Sequence, residues 1–409
     1  MSHLRIGLIF GGRSVEHEVS VLTAHQTMAA LPTDKYTAIP IYISKSGQWF
    51  TGEALKQMEN FKDLEHLTTI ADPVVFNPNA THPGLIHQKV QEHRSWFGRS
   101  TTEPFLEPID VAFPLIHGSH GEDGTLQGLL EIADLPYVGS GVLTSALAMD
   151  KIIAKSVLRS VGIPVIDDLY VSRARWQSES DAVVAEAEAR FDYPVYVKPV
   201  TLGSSIGVSR AEDASTLRFA LDVAATYDRR LMIEPAQQQI IEVNCSVLGD
   251  SNDARASVCE QPISSGTLSY EEKYLSGEKH GNSKARGMAS TKRLIPAPLE
   301  PDLAAAIQAT ALGVFNAIGA SGVIRIDFFV RPSEKTFYVN EINPIPGSLS
   351  FYLWEATGVK FPELVTTLIE IALKRHREKR RSTFTFSSSL LSINPLYGAK
   401  SASIRSNDH

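Results

Sequence analysis

The chain has 409 residues, 43% hydrophobic and 21% charged, a globular composition that excludes a disordered protein. At roughly 150 residues per domain, that length suggests two or three domains. A net charge of −7 argues against nonspecific coating of nucleic acid, and two cysteines, Cys245 and Cys259, supply neither a disulfide framework nor a thiolate zinc cluster. No apolar run reaches membrane-spanning length, and the run at 6–10 is too short for a signal-peptide core. The expectation is a cytoplasmic chain in a reducing compartment.

In chain order, residues 4–10 read as a buried strand ending in Gly11-Gly12. Ser14 is placed to cap a helix whose first turn carries Glu16 and Glu18. Residues 36–43 and 109–116 read as further strands, the second followed by a glycine-punctuated loop over 117–124. Strand, glycine loop and helix, repeated, predict an α/β layer with ligand groups at strand ends. Residues 50–107 are less regular and read as an insert without chemistry. One helix is predicted over 142–161 and a strand over 193–199, followed by Gly203-Ser204-Ser205-Ile206-Gly207. A helix at 214–225 is capped by Asp213, and strands follow at 231–234 and 240–248. Residues 264–298 are polar and aperiodic, the pattern of a functional loop. A helix at 304–318, a hairpin of 323–330 and 336–342, and a helix at 362–381 complete the body. A Ser-rich tail occupies 382–409.

Arg325 and Asp327 share one face of their strand, and Glu341 and Asn343 share a face of the next, because side chains alternate with period two. Two carboxylates and an amide oxygen on one sheet face suit Mg²⁺; ordinary polar alternation on a surface hairpin is the competing reading. Lys151 and Lys198 are candidate phosphate contacts or plain solvated lysines. The loop at 203–207 is an anion nest or only a turn. It is not a Walker loop, and no dinucleotide fingerprint occurs. His117 and Glu122 lie in the 117–124 loop, where acidic residues also suit a helix N-terminus. No nucleophile-elbow motif supports hydrolase chemistry.

Taken together these segments resemble the D-alanine–D-alanine ligase family of the ATP-grasp superfamily. The matching stretches are 11–20, 117–128, 137–141 running to Met149-Asp150-Lys151, 197–207, Tyr270-Glu271-Glu272-Lys273-Tyr274, 325–327 and 341–349, in the family's order. The resemblance implies an α/β (α+β) three-domain ATP-grasp fold with a Rossmann-like N-terminal domain. Its divisions would be 1–141, a central lid at 142–235, a C-terminal domain at 236–381 with an omega loop at 264–298, and the tail. It implies ligation of two D-alanines with ATP, through an acyl phosphate, for peptidoglycan precursor synthesis. Two Mg²⁺ ions would be held by Asp327, Glu341 and Asn343, with Mn²⁺ able to replace them.

By the same resemblance, Lys151, Lys198 and Lys273 would contact the ATP phosphates, with Ser205 also on the nucleotide side. Glu234 would read the adenine, Glu242 the ribose, and Phe329 would pack on the base. Glu16 would bind the ammonium of the first D-alanine, joined to Ser204 and Tyr274 in a hydrogen-bonded triad. Arg325 and the Gly347 N–H would stabilise the oxyanion, and Ser348 and Leu349 would hold the second carboxylate. His117 would lie near the first amino acid and help in proton transfer. The omega loop would keep water from the acyl phosphate. A homodimer is expected, with no nucleic-acid or membrane partner.

Some features depart from the family pattern. Gly347 runs directly into Ser348-Leu349, so an ungapped match puts Ser350 or Tyr352 in the serine's place. Lys279-His280-Gly281-Asn282-Ser283-Lys284 adds positive charge, which favours a more anionic acceptor. Pro235 has no side-chain donor for the base. A ligase with D-lactate, D-serine or another amino acid as second substrate is the alternative, ahead of a non-catalytic homologue. The basic run at 374–381 reads as a helix end with favourably placed cations rather than a nucleic-acid site.

Overall fold

The structure is a computed structural model and describes residues 3–88, 91–94, 100–103, 105–263 and 293–386. Its elements form three sheets with flanking helices and one small hairpin.

The first sheet contains β1 (Leu4–Gly11), β2 (Tyr36–Ile43), β3 (Trp49–Thr51), β4 (Asp72–Asn77), β5 (Gly84–His87), β8 (Leu106–Pro108) and β9 (Val111–Pro114). The hairpin of β6 (Gln91–Arg94) and β7 (Ser100–Glu103) stands outside it. Strand order is β8-β5-β4-β3-β2-β1-β9. Ile6, Leu8, Ile9 and Phe10 of β1 are fully buried, so both faces of the strand are covered, as parallel pairing demands. It runs parallel to β2 and β9. The loops after β1 and β9 therefore emerge side by side at the carboxyl ends of neighbouring strands. The insert at 50–107 supplies the far side of this sheet, through antiparallel β3, β4, β5 and β8.

Helices α1 (His17–Ala30), α2 (Leu64–Ile70) and α3 (Thr125–Ile132) belong to this part. Two helix expectations are corrected here. Ser14 does not cap α1; Glu16 occupies the N-cap, and the Ser14 hydroxyl accepts the Glu16 N–H at 3.1 Å. The helix expected over 142–161 is two, α4 (Val142–Met149) and α5 (Lys151–Ser160). Asp150 leaves helical geometry and its carboxylate accepts the Ile153 N–H at 3.0 Å, capping α5. Lys151 thus begins a helix instead of lying inside one.

The second sheet has the order β10 (Leu169–Ser172), β13 (Arg230–Pro235), β11 (Val195–Pro199), β12 (Ser209–Ala211). Helices α6 (Arg173–Ser178), α7 (Ser180–Arg190) and α8 (Ala214–Tyr227) accompany it. Asp213 caps α8 in a capping box, as expected.

The third sheet has the order β16 (Arg293–Leu294), β15 (Ala254–Pro262), β14 (Ile241–Gly249), β17 (Gly322–Arg331), β18 (Thr336–Asn343). Strand β15 escapes sequence reading because its alternation uses Ala, Ser and Cys instead of large apolar residues. Helices α9 (Pro301–Ala317), α10 (Phe351–Ala356) and α11 (Phe361–Lys379) complete the fold. Ile6, Leu8 and Phe10 share one core with Trp354, Leu364 and Leu368 of α10 and α11, so the first and third sheets are packed into one body. Among the described residues, no helix is long and apolar enough to cross a membrane.

Candidate active site

Register across the third sheet sets the first part of the site. Glu341 of β18 pairs with Asp327 of β17, which pairs with Asn244 of β14, which pairs with Glu260 of β15. Directly paired residues project from the same face, so these four side chains form one row. Arg325 stands two residues from Asp327 and holds it in a fork, Nε to Oδ1 at 2.6 Å and Nη2 to Oδ2 at 2.8 Å. Burial works against the Arg325 charge, but Asp327 outweighs it and holds the guanidinium firmly protonated. Asn343 Nδ2 donates to Asp327 Oδ2 at 3.1 Å. A register shift at Asp327/Phe328 sends both Asn340 and Glu341 to the same cavity.

That cavity, of about 490 Å³, lies between the second and third sheets. Along β11 the buried side chains alternate, which turns Tyr196 and Lys198 into it. Lys151, Ser205, Glu234, Glu242, Phe329, Asp327 and Glu341 also line it. Lys198 Nζ lies 5.8 Å from the centre of the Phe329 ring and 2.5 Å from Glu234 Oε2. Lys151 Nζ donates to the Leu202 carbonyl at 2.6 Å and stands 3.6 Å from Glu341.

The second part of the site comes from the first sheet. Glu16, on the loop after β1, accepts the Ser204 hydroxyl from a segment 188 residues away. Gly118 has φ of +73°, and a Cβ there would stand 2.8 Å from Glu16 Oε2, so only glycine fits. Glu122 is buried, accepting the N–H of Gly118 at 2.6 Å and of Ile345 at 3.0 Å. Burial and the nearby Glu16 charge push its carboxyl up to about 8, against the pull of those two N–H groups. His117 Nε2 meets Thr23 Oγ1 at 2.9 Å, and the ring also hydrogen-bonds the Ile345 backbone. Burial, with a smaller push from Arg325, drives the imidazole down to about 4. The same Thr23 hydroxyl accepts the Ser348 N–H at 3.1 Å. Ser348, Leu349 and Ser350, directly after Gly347, have φ of 54°, 52° and 50°, a left-handed turn of three non-glycine residues.

The structure brings Lys151, Lys198, Ser205, Glu234, Glu242 and Phe329 to one cavity with Asp327 and Glu341, and Asn343 reaches it only through its hydrogen bond to Asp327. It sets Glu16, Ser204, His117, Gly347 and Ser348 around the neighbouring junction of the first and third sheets. Lys273, Tyr274, most of the expected omega loop and residues 387–409 lie outside the described residues.

Sequence reading missed several participants. Lys155 is buried one helical turn from Lys151, and its ammonium pairs with Glu234 and donates to the Ile166 carbonyl at 3.1 Å. Burial and the Lys198 charge push it down to about 7. The i, i+4 spacing from Lys151 was the only local signal. Thr23, Asn244 and Glu260 carry none. Glu122 was read as a helix-end acid, whereas it bonds across the junction.

Four residues of the basic run on α11 have structural partners. Arg375 donates to the carbonyls of Tyr137 and Gly139, Lys379 pairs with Glu131, His376 with Asp134, and Lys374 with Asp250. These contacts fasten α11 to its neighbours.

The donor set and the cavity are consistent with a nucleotide and Mg²⁺. The volume lies in the ordinary range for small ligands, with an aromatic ring for a base and ammonium groups for phosphates. Among the described residues no three His, Cys, Asp or Glu side chains form a closed metal cluster. Asp327, Glu341 and Asn343 offer oxygen ligands but leave a shell to be filled by phosphate oxygens and water, the habit of Mg²⁺.

Comparison with known proteins agrees. Residues 5–140 match the family model of the D-ala D-ala ligase N-terminus, and residues 157–370 that of the C-terminus. The D-alanine–D-alanine ligase of Heliobacterium modesticaldum is 38% identical over 382 residues, 92% of this chain and 96% of that one. That of Chloroherpeton thalassium is 37% identical, covering 93% and 99%. Among solved structures, the D-alanine–D-alanine ligase from Coxiella burnetii has a TM-score of 0.74 at 29% identity, covering 93% and 97%. The VanG D-Ala:D-Ser ligase from Enterococcus faecalis has a TM-score of 0.73 at 31% identity, covering 91% and 100%.

Proposed function

The chain belongs to the D-alanine–D-alanine ligase family, and on that premise we propose how its residues divide the work. It is an ATP-dependent ligase that joins two D-alanines into D-alanyl-D-alanine through an acyl phosphate, in peptidoglycan precursor synthesis. The observation that carries the residue reading is the pairing of Asp327 with Glu341 beside a cavity lined by Lys151 and Lys198.

A carboxylate is a poor electrophile, and phosphorylation gives it a leaving group. Mg²⁺, when bound, screens charge during that transfer. Asp327, Glu341 and Asn343 hold the metal, with two ions as the proposed number. Lys151 and Lys198, with Lys273, hold the phosphates; Ser205 lies beside them. Glu234 takes the adenine side, Glu242 the ribose and Phe329 the base face. Glu16 pairs with the first D-alanine's ammonium and is oriented by Ser204, with Tyr274 as third member. Arg325 and the Gly347 N–H receive the developing oxyanion. Ser348, with Leu349, takes the second D-alanine's carboxylate. His117, neutral and tied to Thr23, positions that turn and is not a charged acid.

The proposed divisions are 1–141, 142–235 and 236–381, followed by the tail. A cytoplasmic homodimer is the proposed setting. D-alanine is favoured as acceptor because the curated relatives at 37–38% identity are D-alanine–D-alanine ligases. The full chain, given ATP, Mg²⁺ and D-alanine, is expected to release phosphate and form the dipeptide, identified by mass and chirality. Absence of turnover from neutral to alkaline pH overturns the reading. Product from D-serine or D-lactate in preference to D-alanine overturns the acceptor.

A further inference from the structure

The row of polar side chains on the third sheet does not end at the proposed metal residues. Beyond Asp327 it continues through Asn244 to Glu260, away from Lys151. Glu260 is a carboxylate 1% exposed. Its Oε1 accepts Asn244 Nδ2 at 2.9 Å and the Tyr352 hydroxyl at 3.1 Å, and its Oε2 accepts Arg293 Nη1 at 2.7 Å. The Arg293 guanidinium lies over the Tyr352 ring, 4.0 Å from its centre. Side chains from three other segments thus converge on one buried anion, which is compensated as such a group must be.

Tyr352 stands two residues after the left-handed Ser348–Leu349–Ser350 turn. Such a turn is strained for residues other than glycine and persists only where its surroundings fix it. Its leading end is fixed by the Thr23 hydroxyl on the Ser348 N–H. Its trailing end is fixed by Tyr352 on Glu260 and Arg293. Inside the turn, Ser350 Oγ is buried with no hydrogen-bond partner among the described residues. That buried hydroxyl leaves hydrogen-bonding capacity open at the turn.

We propose that Tyr352, clamped by Glu260 and Arg293, is the positioning residue for the second amino acid: it holds the Ser348–Ser350 turn in the shape that receives the acceptor's carboxylate. This rests on the assignment of Ser348 to that carboxylate. Glu260 and Tyr352 lie close enough to Arg325 to act on it, and neither lines the nucleotide cavity, so the clamp abuts the oxyanion side of the reaction. Loss of the clamp therefore affects acceptor binding before ATP binding.

The test uses the full chain at saturating ATP. Initial rates against D-alanine concentration are fitted with two constants, the tight one assigned to the first D-alanine and the weak one to the second. Tyr352→Phe keeps the ring under Arg293 and loses the hydroxyl; Tyr352→Ala loses both. The weak constant is expected to rise about threefold in the first and about tenfold or more in the second, with the tight constant and the KM for ATP within about twofold. A parallel rise in the KM for ATP, or a fall in kcat with both D-alanine constants unchanged, overturns the proposal. Thermal unfolding checks each variant, and Tyr352→Phe decides the matter if Tyr352→Ala does not fold. Ser348→Ala separates the two assignments. An unchanged weak constant there removes the Ser348 assignment and the proposal with it. A raised constant there, beside an unchanged one in the Tyr352 variants, removes the proposal alone.

Discussion

The Glu122 carboxylate accepts the Ile345 N–H at 3.0 Å, tying the loop after β9 to the segment after β18 across 223 residues. The same carboxylate accepts the Gly118 N–H, so one side chain fixes both walls of the proposed amino-acid site. Its environment is costly for a charge, because burial and Glu16 both disfavour ionisation.

That cost gives a pH dependence. The folded carboxyl titrates near 8 and the unfolded one near 4.5, so between those values the folded state binds more protons. Stability contributed by Glu122 is present below about pH 4.5 and is lost as pH rises toward about 8. Thermal unfolding of the substrate-free chain should show this downward slope. Glu122→Gln should flatten the slope and start from a lower midpoint, since its amide cannot accept both N–H groups. An unchanged slope contradicts the assignment.

His117 has the opposite sign. Its folded imidazole titrates near 4, below an unfolded value near 6.5, so the unfolded state binds the extra proton in that window. The stability it contributes is present above about pH 6.5 and is lost as pH falls toward about 4. The C2 proton of His117, assigned by comparison with His117→Gln, should keep a constant chemical shift from about pH 8 to about pH 5.5. Movement through about 6.5 would show an imidazole free to ionise at neutral pH.

Lys155 and Lys198 hold the two oxygens of Glu234. Lys155→Met removes one ammonium from a buried pair. Breaking such a pair destabilises by roughly 3–5 kcal/mol, and the KM for ATP should rise about tenfold because Glu234 loses its fixed orientation. Calorimetric unfolding and ATP titration read the two effects. A normal KM for ATP in a folded variant would detach Lys155 from nucleotide recognition.

Asp327→Asn keeps the shape of the sheet row but removes one of its three carboxylates. Turnover should fall at least about a hundredfold, because the proposed metal ligand and the partner of Arg325 are changed together. Nucleotide binding without metal, followed by fluorescence of an ATP analogue, should change little. Retained turnover would move the metal elsewhere.

Arg375 donates to the carbonyls of Tyr137 and Gly139 and stacks 4.4 Å from the centre of the Tyr137 ring. Arg375→Ala should therefore cost about 1–3 kcal/mol of stability. The unaltered chain should show no salt-dependent shift of DNA or RNA at physiological ionic strength. A shift that weakens with salt would return the basic helix to a nucleic-acid role.

The sequence by itself determined a good deal. The buried strand ending in Gly11-Gly12, and the polar alternation of Arg325 with Asp327 and Glu341 with Asn343, are local patterns. Period-two side chains place them on known faces whatever the rest of the chain does. The order of these motifs carried the family and the reaction. Only the tertiary structure decided the break at Asp150, the unsignalled strand β15, and the partners of Glu122, Lys155, Thr23 and Glu260. Those roles depend on hydrogen bonds between segments tens to hundreds of residues apart, and a buried carboxylate announces neither its burial nor its partner in its neighbours along the chain. Side-chain periodicity reaches one turn or one strand, whereas the charge balance of this site is set where three sheets meet.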